Sequence, residues 1–380
     1  MYRKNIKYVC LFIMILICAG CAQIDTADDT HGHIQLPMVE EISDEQQTPD
    51  EEIDNYRSQE AEETTNLMDT KEALIITTGS YEGDAPEDRD GATISIYAYY
   101  LDTCTLETLM SRKSYSTYPA NAVDFAGQKI YWADGEKGDG YDNLSVYDMK
   151  TGESKQLTHG KNRFDELIYV NEKLYANVAR QGATVTQPAV YDFNTNTFSY
   201  LNASDDDTWH HSMSYNYNTG CFLILTCSDA EMRTHRVAAE THIRPKSIST
   251  LSTDFQTIVP LYHTEEFEVR LTRQVDETHI LMTADPQMGE GPRLLKLLNV
   301  DTEEVVDFLI PEISMVTIFD ISQDGDTIYF IGKENGNSNY QVYEYETTSE
   351  ILQKISLPDN TDTIINVQYI RYDCFLLGTL

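Results

Sequence analysis

Short apolar segments, separated by turns rich in Gly, Asn, Asp and Thr, fill the chain from residue 73 to residue 380. The segments are short and β-rich, with alternation of apolar and polar side chains and turn signals that are typical of β-strands, and the period of amphipathic helices is almost absent. The pattern therefore predicts an all-β domain. The clearest predicted strands are 94–101, 129–133, 144–148, 173–178, 189–193, 221–227, 279–283, 293–300, 327–331 and 341–345.

These strands recur in a repeated unit, in which an apolar strand, a polar turn and a second strand follow one another. The clearest copies are residues 144–152 and 189–196, and a threonine marks the turn in six units. The six markers are Thr103, Thr151, Thr195, Thr253, Thr302 and Thr347. A repeat of roughly 45 residues with four strands is typical of β-propellers. The sequence therefore predicts a six-bladed β-propeller, with seven blades as the alternative.

The two ends of the domain predict how the ring closes. Segments 363–369 and 374–380 are interpreted as two inner strands, and segments 94–101 and 106–110 as the outer pair of the same blade. Pairing the two ends of a chain in one sheet removes exposed sheet edges. Segment 74–78 is then either an inner strand of this blade or part of a seventh.

The cysteines are too few and too scattered for a disulfide-stabilised scaffold. Closure of the ring would bring the turns that carry Cys104 and Cys374 to one face. A disulfide between them and two separate thiols are both compatible with that arrangement.

Two short motifs support the fold. The Ser-Gln-Asp-Gly sequence at 322–325 resembles the Ser-Pro-Asp-Gly repeat of TolB-like propellers, with Gln323 at the proline position. The Tyr-Trp-Ala-Asp sequence at 131–134 resembles the Tyr-Trp-Thr-Asp repeat of low-density-lipoprotein-receptor propellers, with Ala133 at the threonine position. Both families are typically six-bladed, so the resemblance implies this fold over residues 73–380 and implies no particular function.

The N-terminus has the features of an export signal. Three basic residues precede the apolar run 8–17, which at about ten residues is too short to span a bilayer. The Ala-Gly pair before Cys21 resembles the lipobox of bacterial lipoproteins, in which the cysteine is diacylated and becomes the new N-terminus. The resemblance implies a signal peptide at 1–20 and a protein anchored on the extracytoplasmic side of the cell membrane. Cys18 stands where the family usually has Leu, and an ordinary secretory signal is the alternative.

The charge of the chain limits its partners. It contains 63 acidic and 27 basic residues, with a formal net charge of −36. Such a surface disfavours nucleic acid, whose binding depends on Lys and Arg, and it is repelled by anionic lipid. Membrane attachment would therefore depend on the lipid at Cys21. Residues 21–72 are dominated by acidic and polar side chains, which predicts a disordered tether before the domain at 73–380.

The long connections between the second and third strands of each predicted blade lie on one face and carry many acids. The candidate binding residues in two of them are Asp84, Asp88, Asp90, Asp134, Glu136, Asp139 and Asp142. This face could attract a cationic ligand, a basic protein or Ca²⁺, although no loop has the calcium-binding pattern. The alternative is that the acids only maintain solubility. Arg233 and Arg236 in the long connection 228–246 predict a positive recognition element or internal charge balance.

Histidines cluster in the fourth unit, where His210 and His211 follow three consecutive aspartates. They are candidate ligands for a divalent metal, but no tight ligand spacing is present, and no cofactor is otherwise predicted. No nucleophile elbow, P-loop or dinucleotide motif occurs. The sequence therefore favours a binding or scaffolding module for a protein or saccharide partner. The alternative is a metal-assisted polysaccharide lyase or hydrolase that uses these histidines and nearby carboxylates.

Overall fold

The computed structural model describes residues 69–81, 91–116, 119–136, 141–160, 162–239, 243–285 and 292–374, without the side chains at 69, 236–239 and 374. The predicted signal peptide, Cys21 and almost all of the predicted tether lie outside the described residues.

The described chain forms six four-stranded antiparallel sheets, which are the blades of a six-bladed β-propeller. Strands are given from the innermost outwards. Blade 1 contains β24 (Thr363–Cys374), β1 (Asp69–Ser80), β2 (Ala92–Tyr100) and β3 (Thr105–Ser114). Blade 2 contains β4 (Asn121–Asp124), β5 (Lys129–Gly135), β6 (Asp142–Asp148) and β7 (Ser154–Gln156), and blade 3 contains β8 (Arg163–Val170), β9 (Lys173–Ala179), β10 (Gln187–Asp192) and β11 (Thr197–Tyr200). Blade 4 contains β12 (Thr208–Asn216), β13 (Cys221–Ser228), β14 (Lys246–Ser252) and β15 (Ile258–Thr264), and blade 5 contains β16 (Glu268–Gln274), β17 (His279–Asp285), β18 (Leu294–Asn299) and β19 (Glu304–Phe308). Blade 6 contains β20 (Ile313–Ile321), β21 (Thr327–Glu334), β22 (Gln341–Glu346) and β23 (Ile351–Ile355).

The six predicted blades are confirmed, and the repeat has the expected structural meaning. Each of the six marker threonines lies in the turn between the third and fourth strands of its blade. The ten predicted strands are all second or third strands, which are covered on both faces by neighbouring blades. The connections between second and third strands define one face of the ring, which we call the loop face.

The two ends of the domain meet in blade 1, where β24 pairs antiparallel with β1 from Asp69 to Gly79. The predicted division of the tail into two inner strands is corrected, because residues 363–374 form one continuous strand. The second inner strand is β1, which contains the segment at 74–78 that the sequence left between two positions. Pairing with β1 continues through residues 369–374, so the predicted break between 369 and 374 does not occur. Cys104, in the β2–β3 turn, is a free thiol.

The hydrophobic core consists of six clusters, one at each interface between adjacent blades, including the interface of blade 6 with blade 1. Strand β1 shows how one strand serves two of them. Leu74 and Ile76 pack towards blade 6, whereas Ala73 and Ile75 pack towards blade 2. Since successive side chains of a strand point to opposite faces, a strand buried on both faces is apolar at nearly every position.

The Ser-Gln-Asp-Gly sequence forms the turn between β20 and β21. Gly325 has a φ of 80°, and a Cβ atom there would lie 2.6 Å from the carbonyl oxygen of Val275 in blade 5. The Oγ of Ser322 donates to Asp324 and accepts from the backbone N–H of Thr327. Glycine is required because only it fits both the positive φ and this contact between blades.

The connection between β13 and β14 contains a helix, α1 (Asp229–Ala239), where the sequence predicted only a loop. Ser228 caps it, since its Oγ accepts from the backbone N–H of Glu231 at 3.1 Å. Asp207 accepts from the N–H of Ala230 at 2.8 Å and from Ser228 Oγ at 2.6 Å. Side chains that satisfy the first N–H groups stabilise a short helix. In the part of the chain that is described, no helix has the length and apolar character to cross a membrane.

Candidate functional site in the central channel

The innermost strands of all six blades surround a cavity of about 300 Å³ on the axis of the ring. Its polar lining side chains are Asn121, Asp165, Glu166, His211, Ser214, Arg273, Asp320, Asn366 and Gln368, and three tyrosines, Tyr215, Tyr217 and Tyr369, add aromatic surface. A concave site with a few converging polar groups is the usual form of a ligand pocket. This channel is therefore the principal candidate site among the described residues.

β-Bulges position two of these side chains. The register of β8 against β9 shifts at Asp165, and the register of β12 against β13 shifts at His211. A bulge inserts one unpaired residue and re-aims the local side chains. Both residues lie near the beginning of an innermost strand and hence near the loop face. The bulges place a carboxylate and an imidazole on adjacent blades beside the same cavity.

Burial changes the protonation of the two adjacent acids in β8. Loss of solvation raises the pKa of Glu166 to about 8, although Arg273 and the backbone N–H of Met213 oppose this shift. Burial also raises the pKa of Asp165 to about 6, although its side chain keeps accessible surface in the channel. Protein surrounds both carboxylates and excludes most bulk water, but the channel leaves the Asp165 side chain accessible to a ligand. Near neutral pH, Glu166 can therefore donate a hydrogen bond, whereas Asp165 carries a negative charge.

Arg273 and Asp320 form an ion pair in the half of the channel opposite the loop face. The distance from Arg273 Nε to Asp320 Oδ1 is 2.8 Å, and Asp320 Oδ2 accepts from the backbone N–H of Tyr369 at 2.8 Å. Asp320 thus joins blades 5, 6 and 1. Glu166 similarly joins blades 3 and 4, because it accepts from Met213 N–H. These two acids therefore hold the ring together as well as line the cavity.

The β12–β13 turn narrows the channel at this end. Asn218 donates to the backbone oxygen of Gln323 at 2.7 Å, and the Gln323 side chain donates to Asn218 Oδ1 at 2.7 Å. Tyr217 accepts from the backbone N–H of Arg371 at 3.3 Å. The turn of blade 4 thereby reaches blades 6 and 1. We call this bridge the channel floor.

A group of basic side chains lies behind the channel wall, beside His211. Glu268, which is fully buried, pairs with Arg244 and lies 3.9 Å from Lys246 Nζ. Burial, followed by the charge of Arg244, lowers the pKa of Lys246 to about 7. Burial, with Lys246 and Arg244, also holds the pKa of His211 well below its usual range. His211 is therefore a neutral imidazole at physiological pH.

Part of the predicted acidic loop face lies in blade 2. Asp134 accepts from Ser114 Oγ at 3.2 Å, and burial raises its pKa. Burial raises the pKa of Asp142 to about 6, and repulsion by Asp134 adds to the shift. Glu136 is exposed and also interacts electrostatically with Asp134. Three of the predicted acids are therefore neighbours, while Asp84, Asp88, Asp90 and Asp139 lie outside the described residues.

The remaining predicted residues lie apart from one another. Arg233 is on α1, and its exposed side chain pairs with Asp229 at 3.3 Å. The side chain of Arg236 is not among those that the structure describes. The two predicted metal ligands diverge. His210 is buried beside the Thr186 carbonyl oxygen of blade 3, with its pKa lowered by burial to about 4, whereas His211 faces the channel.

Another group has spacing suited to a metal ion. One ligand atom from each of Glu231, His263 and Glu265 lies within 4.8 Å of the others, and this is the sole group of its kind found in the described ranges. It lies on blade 4, away from the channel-lining residues.

Sequence reasoning missed Asp165, Glu166, Arg273 and Asp320. They lie on the innermost strands β8, β16 and β20, where polar channel-facing residues and bulges interrupt apolar alternation. The adjacent acids at 165 and 166 inside an otherwise apolar segment were the available signal. Two consecutive carboxylates are unusual in a strand that is covered by neighbouring blades.

No protein-family model matches the chain, and no curated protein matches it. Its structure is similar to hydrazine synthase of Kuenenia stuttgartiensis, with a TM-score of 0.56 and 12% identity over 80% of this chain and 47% of that chain. It is also similar to TolB from Acinetobacter baumannii, with a TM-score of 0.47 and 12% identity over 78% of this chain and 66% of that chain. Oligogalacturonate lyase in complex with manganese gives a TM-score of 0.46 and 12% identity over 75% of this chain and 73% of that chain. At these identities the likeness concerns the fold alone.

Proposed function

We propose that this protein is a lipid-anchored, extracytoplasmic binding module whose propeller channel takes up a small polar ligand. The observation that carries the proposal is the cavity of about 300 Å³ lined by side chains from all six blades. This volume is at the lower end of typical ligand pockets and suits one or two sugar rings. The channel floor lies at the end of the cavity opposite the loop face.

The chemistry of the channel favours a ligand with several hydroxyl groups. Asp165 supplies a charged acceptor, protonated Glu166 a donor, and neutral His211 either a donor or an acceptor. The tyrosines supply flat surfaces of the kind on which sugar rings pack. A saccharide matches this mixture of donors, acceptors and aromatic surface better than an apolar ligand does.

A glycan and peptide panel tests the binding proposal. Full-length protein purified in detergent would be screened by thermal shift, and ligands that bind would be titrated by calorimetry. We expect Asp165→Asn to weaken binding of a saccharide by about tenfold or more, since a charged hydrogen bond is lost. Asp301→Asn, in the exposed β18–β19 turn, is the matched control and should bind like the wild type. Equal binding by wild type and Asp165→Asn, or exclusive binding of peptides, would contradict the saccharide proposal.

The lipid anchor is proposed from the sequence at Cys21 and has its own test. Cells that express the protein would be labelled with an alkyne-tagged fatty acid, and membrane association would be measured by detergent phase partition. We expect Cys21→Ala to abolish labelling and Cys18→Ala to retain it. Labelling that survives Cys21→Ala would refute the assignment.

The metal-assisted lyase or hydrolase receives less support than the binding module. His210 and His211 point in different directions, and His210 interacts with a backbone carbonyl of blade 3. An enzyme of this kind needs ligands that converge on one ion.

A further inference from the structure

We propose that blade 4 carries a site for a divalent transition metal of the zinc type, formed by Glu231, His235, His263 and Glu265. We call these four residues the rim cluster. Glu231 and His235 lie on α1, His263 lies on β15, and Glu265 follows β15 directly. The site would connect the inserted helix to the outermost strand of its blade.

Ligand atoms of Glu231, His263 and Glu265 lie within 4.8 Å of one another, and His235 contacts this group through Glu265. His263 Nε2 lies 3.3 Å from Glu231 Oε1 and 3.7 Å from Glu265 Oε1, and His235 Nδ1 lies 3.2 Å from Glu265 Oε2. Zinc binds nitrogen and oxygen ligands at about 2.0–2.1 Å, so two ligands of a tetrahedral site are about 3.3–3.4 Å apart. The ligand pairs Glu231–His263 and His263–Glu265 are therefore close to tetrahedral spacing, and a rotation of His235 towards Glu231 and His263 would add the fourth ligand.

The helix gives two ligands a common direction. Residues 231 and 235 are four apart, so Glu231 and His235 project from one face of α1. A glutamate three residues after a Ser cap often folds back to the cap in a capping box. Here Asp207 binds the Ser228 hydroxyl and the N–H of Ala230, while Glu231 points to His263.

A hydrogen bond between Ser247 and His263 sets the orientation of the central ligand. Ser247 Oγ lies 3.0 Å from His263 Nδ1, on the side of the ring opposite Nε2. Metal-ligating histidines commonly form such a bond through the second nitrogen, which fixes the ring and its tautomer. Two imidazoles and two carboxylates favour zinc-type ions over Ca²⁺ and Mg²⁺, which prefer oxygen ligands throughout.

The test measures Zn²⁺ binding by competition with a chromophoric chelator. Full-length protein without a polyhistidine tag would carry His31→Ala and His33→Ala in every sample, because these N-terminal histidines could also bind zinc. We expect one equivalent of Zn²⁺ to bind and His263→Ala to lower the affinity by more than about 100-fold. Ser247→Ala should lower it by about 10- to 100-fold.

The matched control is His279→Ala, because His279 pairs with Asp276 at 3.0 Å and belongs to no group of three possible metal ligands among the described residues. It should change Zn²⁺ affinity by less than about twofold. Glu265→Gln is a second ligand variant at an exposed site, and its fold would be verified by circular dichroism in chelator. Cobalt loading should give the intense visible absorption of a four-coordinate site in wild type but not in Glu265→Gln.

Three results would overturn the proposal. They are the absence of stoichiometric Zn²⁺ binding, retention of binding in both His263→Ala and Glu265→Gln, and equal competition by Ca²⁺. Loss of Zn²⁺ in His211→Ala with retention in His263→Ala would instead place the metal in the channel.

Discussion

The channel and the rim cluster both combine carboxylates with imidazoles, but they differ in burial. Channel groups such as Glu166 are enclosed by protein, and burial raises the pKa of this acid to about 8. In the rim cluster, the side chains of Glu231, His263 and Glu265 are 39%, 43% and 52% exposed, whereas that of His235 is 13% exposed. Water therefore solvates the rim carboxylates, and a metal ion can reach them from solvent. The same side-chain types can provide neutral hydrogen-bonding groups in one place and a metal site in another.

The two regions also differ in what fixes their side chains. In the channel, Asp320 and Glu166 connect blades, so their positions are part of the closed ring. In the rim cluster, contacts are confined to α1, β14 and the end of β15 within blade 4. We therefore expect substitutions near the channel to affect stability strongly, and substitutions in the rim cluster to affect metal affinity.

The largest expected difference in the free energy of unfolding comes from replacing one glutamate in each region by glutamine. Glu268→Gln should destabilise the protein by about 3–5 kcal/mol, because it removes the buried partner of Arg244 and Lys246. Glu265→Gln should change stability by less than about 0.5 kcal/mol in chelator, because its ion pairs are exposed. Urea denaturation measures both. Equal losses of unfolding free energy in the two variants would show that burial does not distinguish the two regions.

A second difference should depend on pH. The folded protein retains the proton of Glu166 at pH values where the unfolded chain releases it, since burial raises the pKa from 4.5 to about 8. This contribution to stability is complete below about pH 4.5 and is lost as the pH rises to about 8. Glu166→Gln does not titrate, so its stability relative to wild type should increase with pH by up to about 1.4 kcal/mol per unit.

The stability of Asp165→Asn relative to wild type should also increase with pH, but only up to about pH 6, because burial raises the pKa of Asp165 to about 6. The measurement is urea denaturation from pH 5 to pH 8.5. A difference between Glu166→Gln and wild type that does not change with pH would show that Glu166 is ionised in the folded protein.

The smallest expected effect concerns the channel floor. Gln323→Ala removes the side-chain hydrogen bond to Asn218 and should lower stability by about 1 kcal/mol. Gln353→Ala, at an exposed position of β23, is the control and should have little effect. Hydrogen exchange should also accelerate in the β12–β13 turn of the first variant only. Unchanged exchange there would show that this bond does not hold the floor.

Much of the fold could be predicted because its signals are local. The second and third strands, such as β5 and β9, are covered on both faces and are therefore recognisable as apolar runs. The six threonine turns recur because every blade ends in the same hairpin. The innermost strands were harder to predict, since bulges at Asp165 and His211 and polar channel-facing residues disrupt alternation. Helix α1 was missed because short helices depend on caps such as Asp207, which lies 22 residues before the first helical residue.

The sequence by itself favoured six blades over seven, predicted that both ends of the domain take part in closure, and fixed the excess of acidic residues. These properties follow from strand periodicity, repeat length and composition, which do not require knowledge of distant contacts. Only the tertiary structure decided which side chains meet. Glu166, Arg273 and Asp320 line one cavity although they come from three different blades. Glu231 on α1 contacts His263 on β15. Such encounters depend on the closure of the ring and on the direction that bulges and helix caps give each side chain.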